Sequence, residues 1–164
     1  MEYREAVASL RRLQLLMRIK ARSLMADSGL HPGQPRLMEF INGHPGCTQK
    51  EAADELDVTP ASAAASLKRL EKAGMVARMP DTRDARRNRL YLTEAAREKL
   101  RANQEAFRKM DAQMFAGLTD AEVQDFCRIC QHLFDNLADE SCRRLTIWKL
   151  AERASGQEKE EKNA

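Results

Sequence analysis

The sequence predicts a mainly α-helical protein that contains one small β-hairpin. Ala, Leu, Glu, Arg and Lys dominate the composition, and these residues lose little side-chain freedom in a helix. The short segments 75–79 and 88–92 are typical of strands, and a charged loop joins them. With 164 residues, 43% of them apolar and 32% charged, the chain can bury one core and carry accessory helices.

Residues 2–27 are predicted to form a long first helix. Its apolar residues recur at helical spacing along the whole segment: Val7, Leu10, Leu13, Leu16, Met17, Ile19, Ala21 and Leu24. An apolar surface this broad exceeds what one neighbour covers, so we expect burial on two sides. Ser28 and Gly29 supply a stop signal, and the segment 31–35, rich in Pro and Gly, is typical of a loop.

Two short helices are predicted next. The first surrounds residues 37–41 and ends at Gly43. Thr48, followed three residues later by Glu51, is a capping-box pattern, so we expect a second helix that starts here and ends near Leu56.

A third short helix follows after a tight turn. Thr59 suits its N-cap, Pro60 suits its first position, and the helix is predicted to run to about Lys72. Two helices joined by a turn of three to four residues and followed by a hairpin describe a winged helix-turn-helix.

The C-terminal half predicts further helices. Thr93 caps a second long helix, whose apolar seam is Ala96, Leu100, Phe107, Met110 and Met114. Thr119 and Glu122 form another capping box before an amphipathic helix. A last helix is expected around residues 143–154, and the polar segment 155–164 is expected to be disordered.

Positive charge is concentrated in the middle of the chain. The net charge is +3, yet residues 59–100 hold ten Lys or Arg against five Asp or Glu. The loop 81–89 has four arginines among nine residues. Arginine suits phosphates and narrow minor grooves because its planar guanidinium donates paired hydrogen bonds. Charge alone fits a solvated surface equally well, but its position on a hairpin behind a helix pair favours double-stranded DNA as the partner.

Two groups of residues are candidates for DNA contact. The helix after Thr59 has a short polar exposed face, so its backbone can lie close to bases. The candidates on this recognition helix are Thr59, Ala61, Ser62, Ala65, Ser66 and Arg69. The candidates on the wing are Arg83, Asp84, Arg86, Arg87 and Arg89.

Three segments, in this order, resemble the MarR family of bacterial regulators. They are residues 70–78 (LEKAGMVAR), 84–86 (DAR) and 92–98 (LTEAARE). The family pattern is a recognition helix ending in Leu-Glu-x-x-Gly, a wing with Asp-x-Arg, and Leu-Thr opening a long helix. Each fragment alone is weak, but the ordered set with matching spacing is specific. The similarity covers about residues 5–137.

The resemblance implies a role for each part. Asp84 would pair with a nearby arginine to brace the wing, and Arg86 would reach the minor groove. The first half of the recognition helix would read the major groove. The flanking helices would form a homodimer on a pseudo-palindromic operator, more often as a repressor. A cleft beneath them would bind a small aromatic or anionic effector that releases the DNA.

We therefore expect four regions. Residues 1–30 form an N-terminal dimerisation helix, and residues 31–92 form the winged helix-turn-helix. Residues 93–154 form C-terminal dimerisation helices, and residues 155–164 form the tail.

One departure from the family keeps an alternative open. Many relatives have arginine in the middle of the recognition helix, where this chain has Ala65. Direct reading of guanine by an arginine is then less assured, so Ser62, Ser66 and the shape of the DNA must contribute more to specificity. An Ala-rich recognition helix also fits a helical interaction module with weakened DNA binding.

The cysteines and histidines suggest a second alternative, a regulator that responds to thiol oxidation or to a metal. Cys47 lies just before a helix N-terminus, an environment that lowers thiol pKa values, and is the candidate sensor thiol. Cys127 and Cys130 fall on an apolar helix stripe, where core packing is the simpler interpretation. The three histidines lack metal-ligand spacing, so no metal site is predicted.

Other functional classes are not indicated. We expect no enzyme activity and no cofactor, because catalytic triads, phosphate-binding glycine loops and paired carboxylates are not evident. No apolar run approaches a membrane span, and the cysteine spacing does not suggest secreted disulfides, so a cytoplasmic protein is expected. Five methionines at helical spacing favour core packing over an adaptable ligand cleft: Met17, Met25, Met38, Met110 and Met114.

Overall fold

A computed structural model describes residues 3–31, 33–81, 87–147, 149–151 and 153. The chain divides into two compact units, residues 1–114 and 115–164. The described elements of the first unit are α1 (Tyr3–Ser28), α2 (Gln34–Gly43), α3 (Gln49–Leu56), α4 (Pro60–Lys72), β1 (Val76–Pro80), β2 (Asn88–Leu92) and α5 (Glu94–Met114). Those of the second unit are α6 (Asp120–Leu137) and α7 (Glu140–Arg143). The predicted mainly α-helical fold with one small hairpin is confirmed.

Local sequence signals fix most helix starts. At α3, the Glu51 amide donates to Thr48 Oγ1 at 3.2 Å, and the Thr48 amide donates to Glu51 Oε2 at 2.6 Å. The same reciprocal pair joins Thr119 and Glu122 at the start of α6. Both predicted capping boxes are therefore present, and together they satisfy amide donors that have no partner within the helix.

The turn between α3 and α4 depends on a contact that the sequence did not reveal. Asp57 closes α3 with φ 54°, a left-handed conformation that Asp tolerates better than most residues. Arg36 of α2 donates through Nη1 to the Leu56 carbonyl oxygen at 3.1 Å. This guanidinium satisfies a carbonyl at the C-terminal end of α3, so α2 helps to hold the turn that aims α4.

The hairpin is antiparallel, with Val76 opposite Leu92 and Pro80 opposite Asn88. An isolated antiparallel bridge between Cys47 and Leu90 pairs the loop before α3 with β2. The Leu90 amide donates to the Cys47 carbonyl oxygen at 2.9 Å, and this ties the hairpin to the loop before α3.

The core lies among α2, α3, α4, the hairpin and α5. Its largest fully buried side chains are Met38, Ile41, Leu67, Leu70 and Leu90. Ala52 and Ala63 are also buried, and such small residues let α3 and α4 approach closely. This packing leaves the opposite face of α4 in solvent.

The terminal helices differ from this core, because neither α1 nor α6 contains a buried residue. The two-sided burial expected for α1 is therefore not achieved within one chain. Cys127 is exposed and Cys130 is half-buried, so their predicted core packing is wrong for the single chain.

The helix expected over residues 143–154 is interrupted. α7 ends at Arg143, and helical residues resume at Ile147 after Thr146, whose Oγ1 accepts from the Lys149 amide at 3.4 Å. The predictions for the tail at 155–164 lie outside the described residues.

Candidate nucleic-acid interface

The recognition helix α4 begins at a well-ordered cap. The Ser62 amide donates to Thr59 Oγ1 at 3.1 Å, and the Thr59 hydroxyl donates to Ser62 Oγ at 2.9 Å. These contacts fix two of the predicted DNA-reading side chains relative to the helix N-terminus. The first turn also leaves amide donors that suit a phosphate oxygen.

The predicted recognition residues share one face of α4. Ala63, Leu67 and Leu70 are buried against the core. The exposed candidates are Thr59, Ala61, Ser62, Ala65 and Arg69, and Ser66 is half-buried. The exposed face has short side chains in its first turns, and its cations, Lys68, Arg69 and Lys72, lie near its C-terminal end. Its chemistry therefore suits close approach to a groove, with methyl and hydroxyl contacts to bases.

The base of the wing is braced by an ion pair that also reaches a loop. Arg89 donates through Nε to Asp81 Oδ2 at 2.7 Å and through Nη1 to the Gly46 carbonyl oxygen at 3.0 Å. The Asp81 side chain is 8% exposed, so this carboxylate is held away from water. The hydrogen bond to Asp81 raises the pKa of Arg89. The guanidinium of Arg89 is thus engaged at the foot of the wing.

Sequence reasoning did not single out Asp81, and it assigned the bracing role to Asp84. The signal in the sequence was the position of Asp81 directly after β1, opposite the start of the returning segment. In the structure the Asp81 amide donates to the Arg87 carbonyl oxygen at 2.9 Å. Arg87 is exposed at the start of the returning segment. The predicted wing residues Arg83, Asp84 and Arg86 lie outside the described residues.

A second polar contact joins three elements behind the recognition helix. Arg78 of β1 donates to Glu71 near the end of α4 and, through Nη2, to Gln49 Oε1 at 3.2 Å. Gln49 is the first residue of α3, so one side chain connects both helices of the pair to the hairpin.

Cys47 is 6% exposed, and its environment differs from the one expected. Burial raises the pKa of its thiol, and the nearby Glu51 carboxylate raises it further. The expectation that the following helix lowers this pKa is therefore wrong. Because the thiolate is the reactive form, oxidant sensing by Cys47 stays a prediction that this environment does not favour.

Over the part of the chain that the structure describes, no group of three or more His, Cys, Asp or Glu side chains is arranged to hold a metal ion. Among the same described residues, no helix has the length and apolar character of a membrane span.

An apolar cleft of about 320 Å³ lies between α1 and α5. Its lining residues are Leu13, Leu16, Met17, Lys20, Met110, Gln113 and Met114. Three of the five methionines assigned to core packing therefore line a cleft, whereas Met38 is fully buried and Met25 packs against the core. Lys20 is the cationic group of this lining.

These observations define a winged helix-turn-helix with long flanking helices. The sequence model of the MarR family matches residues 28–87. A Thauera aromatica protein, proposed to be the transcriptional regulatory protein for the hcr operon, is 31% identical over 114 residues, which cover 70% of this chain and 69% of that relative. The chain belongs to the MarR family of transcriptional regulators.

Solved structures share the fold. YusO from Bacillus subtilis is 23% identical with a TM-score of 0.74, over 83% of this chain and 96% of that one. MepR of S. aureus in a DNA complex is 22% identical with a TM-score of 0.69, over 78% and 96%. MepR bound to ethidium bromide is 21% identical with a TM-score of 0.68, over 80% and 96%.

Proposed function

We propose that this chain is a cytoplasmic repressor, without enzyme activity, that binds a pseudo-palindromic DNA operator as a homodimer and is released by a small molecule. The observation that carries the proposal is the exposed face of α4. Its hydrogen-bonded Thr59–Ser62 cap and short side chains face solvent, while Ala63, Leu67 and Leu70 fasten the helix to the core. Such a helix fits the major groove.

The wing supplies the second contact in this proposal. Residues 83–87 include three arginines, Arg83, Arg86 and Arg87, on the segment that joins the two strands. Arg86 reaches the minor groove, while Asp81 and Arg89 hold the base of the wing against the loop at Gly46. Specificity then comes from short contacts on α4 together with the shape of the DNA, because Ala65 carries no guanidinium.

Dimerisation uses residues 1–30 and 93–154, and DNA binding uses residues 31–92. Support comes from the absence of any buried residue in α1 and α6, since exposed apolar helices of this kind are covered in an oligomer. A two-fold dimer places its recognition helices about one DNA turn apart. The solved DNA complex of MepR, which shares the fold, supports DNA binding by a protein of this fold.

The effector binds in the cleft between α1 and α5. Methionine side chains adapt to ligand shape, and Lys20 favours an anionic group on an aromatic ligand. The solved ethidium complex of MepR supports binding of an aromatic compound by a protein of this fold.

Benzoate should weaken operator binding, whereas uncharged benzamide should not. Lys20→Gln should remove the difference, and equal effects of both compounds on the wild type would contradict the role of Lys20.

Selection of genomic fragments on the purified protein, followed by gel shift, tests DNA recognition. We expect an enriched sequence with inverted half-sites and affinity well above that for unrelated DNA of equal length. Retention of all fragments alike, with only salt-sensitive binding, would refute a sequence-specific regulator. That outcome would favour the interaction module instead.

A further inference from the structure

A surface cavity of about 750 Å³ lies where the loop after α2 meets α3. Its volume is in the range of small-molecule sites, and it shares no lining residue with the cleft between α1 and α5. Among the residues that the structure describes, no lysine or arginine lines this cavity. We call it the acidic cavity and define it by Phe40, His44, Cys47, Glu51, Asp54 and Glu55.

Three carboxylates give the acidic cavity its charge. Asp54 and Glu55 follow Glu51 by three and four positions, so the three side chains lie on one side of α3. Glu51 caps its own helix, whereas Asp54 and Glu55 are exposed and form no ion pair with another described residue. The Glu51 carboxylate also raises the pKa of the Cys47 thiol, so its negative charge acts on the cavity lining. A cation is therefore favoured over a neutral or anionic occupant.

The rest of the lining offers flat and polarisable groups. The rings of Phe40 and His44 are stacked, with centroids 4.5 Å apart and planes 24° apart. Cys47 is 6% exposed, and its thiol has no hydrogen-bond partner on another residue of the described chain. Aromatic rings make favourable contacts both with other rings and with sulfur, and a cation is attracted to a ring face. This lining suits a ligand that is aromatic as well as cationic.

Two other occupants fit the acidic cavity less well. In the described ranges of the chain, no three or more His, Cys, Asp or Glu side chains are arranged to hold a metal ion, so these carboxylates do not converge on one point. A delocalised organic charge needs no such convergence. DNA phosphates have the same sign as the cavity, and the cations of this region line a neighbouring cavity beside the wing: Lys50, Arg78, Arg87 and Arg89.

We infer that the acidic cavity is a binding site for an aromatic cation, whose ring lies against Phe40 and whose charge lies near Asp54 and Glu55. The site is additional to the proposed effector cleft, where Lys20 favours an anion. The inference does not depend on that cleft, on the homodimer or on the identity of the operator.

The acidic cavity also borders the anchor of the wing. The Gly46 amide donates to the Leu90 carbonyl oxygen at 2.8 Å, and the Gly46 carbonyl oxygen accepts from Arg89 at 3.0 Å. Gly46 is part of the cavity lining, so an occupant contacts the loop that holds the hairpin. Binding of the cation and binding of DNA should therefore change each other's affinity.

Equilibrium dialysis of the full chain against tetraphenylphosphonium tests the inference. We expect saturable binding of this aromatic cation. Asp54→Asn with Glu55→Gln removes two charges at nearly constant shape and should raise its Kd on the order of tenfold. Asp27→Asn with Glu98→Gln is the matched control, because it removes the same charges from exposed positions on α1 and α5 and should leave the Kd unchanged. Circular dichroism should show the same helix content in all variants.

Amide NMR spectra locate the bound cation. Tetraphenylphosphonium should shift the signals of Gly46 and Cys47 and leave that of Gln113, in the cleft between α1 and α5, in place. Tetraphenylborate has the same shape and the opposite charge, so it should not shift Gly46 and Cys47. At saturation the phosphonium should change the operator affinity of the wild type by about fivefold or more, and not that of the cavity variant.

Each contrary outcome has its own meaning. Binding that does not saturate, a Kd unchanged in the cavity variant, or an equal loss in the control variant overturns the inference. Shifts at Gln113 instead of Gly46 overturn it too, and assign the cation to the cleft between α1 and α5. Unchanged operator affinity with the cavity filled overturns the link to the wing. All of these outcomes leave the proposed dimeric regulator intact.

Discussion

The winged-helix region and the terminal helices bury their apolar residues differently. α2, α3, α4 and the hairpin place Ile41, Leu67 and Leu90 fully out of solvent within one chain. α1 and α6 have equally clear apolar stripes and no buried residue. The first region is therefore stabilised by its own contacts, whereas the second would be covered only in the proposed homodimer. We therefore expect substitutions in the first region to lower the stability of the fold and substitutions in the second region to weaken assembly.

The largest expected effect is on the core. Leu67→Ala removes a fully buried side chain of α4 and should lower the free energy of unfolding by about 2–5 kcal/mol, because it leaves a cavity. Leu133→Ala on α6 should instead leave the unfolding of dilute monomer nearly unchanged and raise the dimer Kd. Urea unfolding at low and high protein concentration separates the two. If both variants lost the same free energy of unfolding at low protein concentration, the two regions would not differ in how they are stabilised.

The next effect concerns two kinds of wing residue. Arg86→Ala should weaken binding to all DNA sequences and reduce the salt slope of log K by about 1, because one cation that displaces a counterion from the DNA is lost. Asp81→Asn should weaken binding with the slope unchanged, because it loosens the brace to Arg89 without removing a contact. Fluorescence anisotropy over a salt series measures both the affinity for DNA and the salt slope of log K. If Asp81→Asn lowers the slope as Arg86→Ala does, the brace is not the main role of this ion pair.

A smaller difference should appear between two thiols. Cys47 is buried and its pKa is raised, so iodoacetamide should modify it slowly at any protein concentration. Cys127 is exposed on α6 and should react fast in dilute monomer but slowly in concentrated dimer. Mass spectrometry of timed samples follows each site. Reaction of Cys127 at one rate across all concentrations would show that α6 is not covered by assembly.

The smallest effect is that of pH on the capping boxes. Hydrogen bonds from Thr48 and Thr119 lower the pKa of Glu51 and of Glu122 below the ordinary 4.5. The folded state then binds fewer protons than the unfolded one, so this stability is present above pH 4.5 and is lost as the pH falls from there through the lower pKa of the folded state.

Glutamine keeps the hydrogen bond without titrating, so Glu51→Gln should flatten the change in stability between about pH 6 and about pH 3. Glu122→Gln is the matched variant on the other unit. Unfolding curves across this range check the result, and unaltered pH dependence in both variants would mean that other carboxylates dominate.

Local signals account for what the sequence predicted correctly. Thr48 and Glu51 determine a helix start between themselves, and Pro60 fits a first helical turn whatever surrounds it. The position of Asn88–Leu92 as a strand likewise follows from its own residues and from the loop before it. These features need no knowledge of the rest of the chain.

The features that sequence reasoning missed join residues far apart. Arg36 reaches Leu56 across twenty positions, and Arg89 reaches Gly46 across forty-three. Cys47 is buried in the core cluster and forms a backbone bridge to Leu90, so the helix that follows it was a poor guide to the pKa of its thiol. Such contacts depend on the packed fold, and spacing along the chain does not reveal them.

In the proposed complex, two chains bind one operator, each through its α4. Sedimentation velocity of the protein on the operator recovered by selection should give two chains per duplex. An insertion of about 5 base pairs between the half-sites turns them to opposite sides of the helix and should abolish tight binding. One chain per duplex, or equal affinity for the operator with and without the insertion, would refute recognition of the operator by two α4 helices of one dimer.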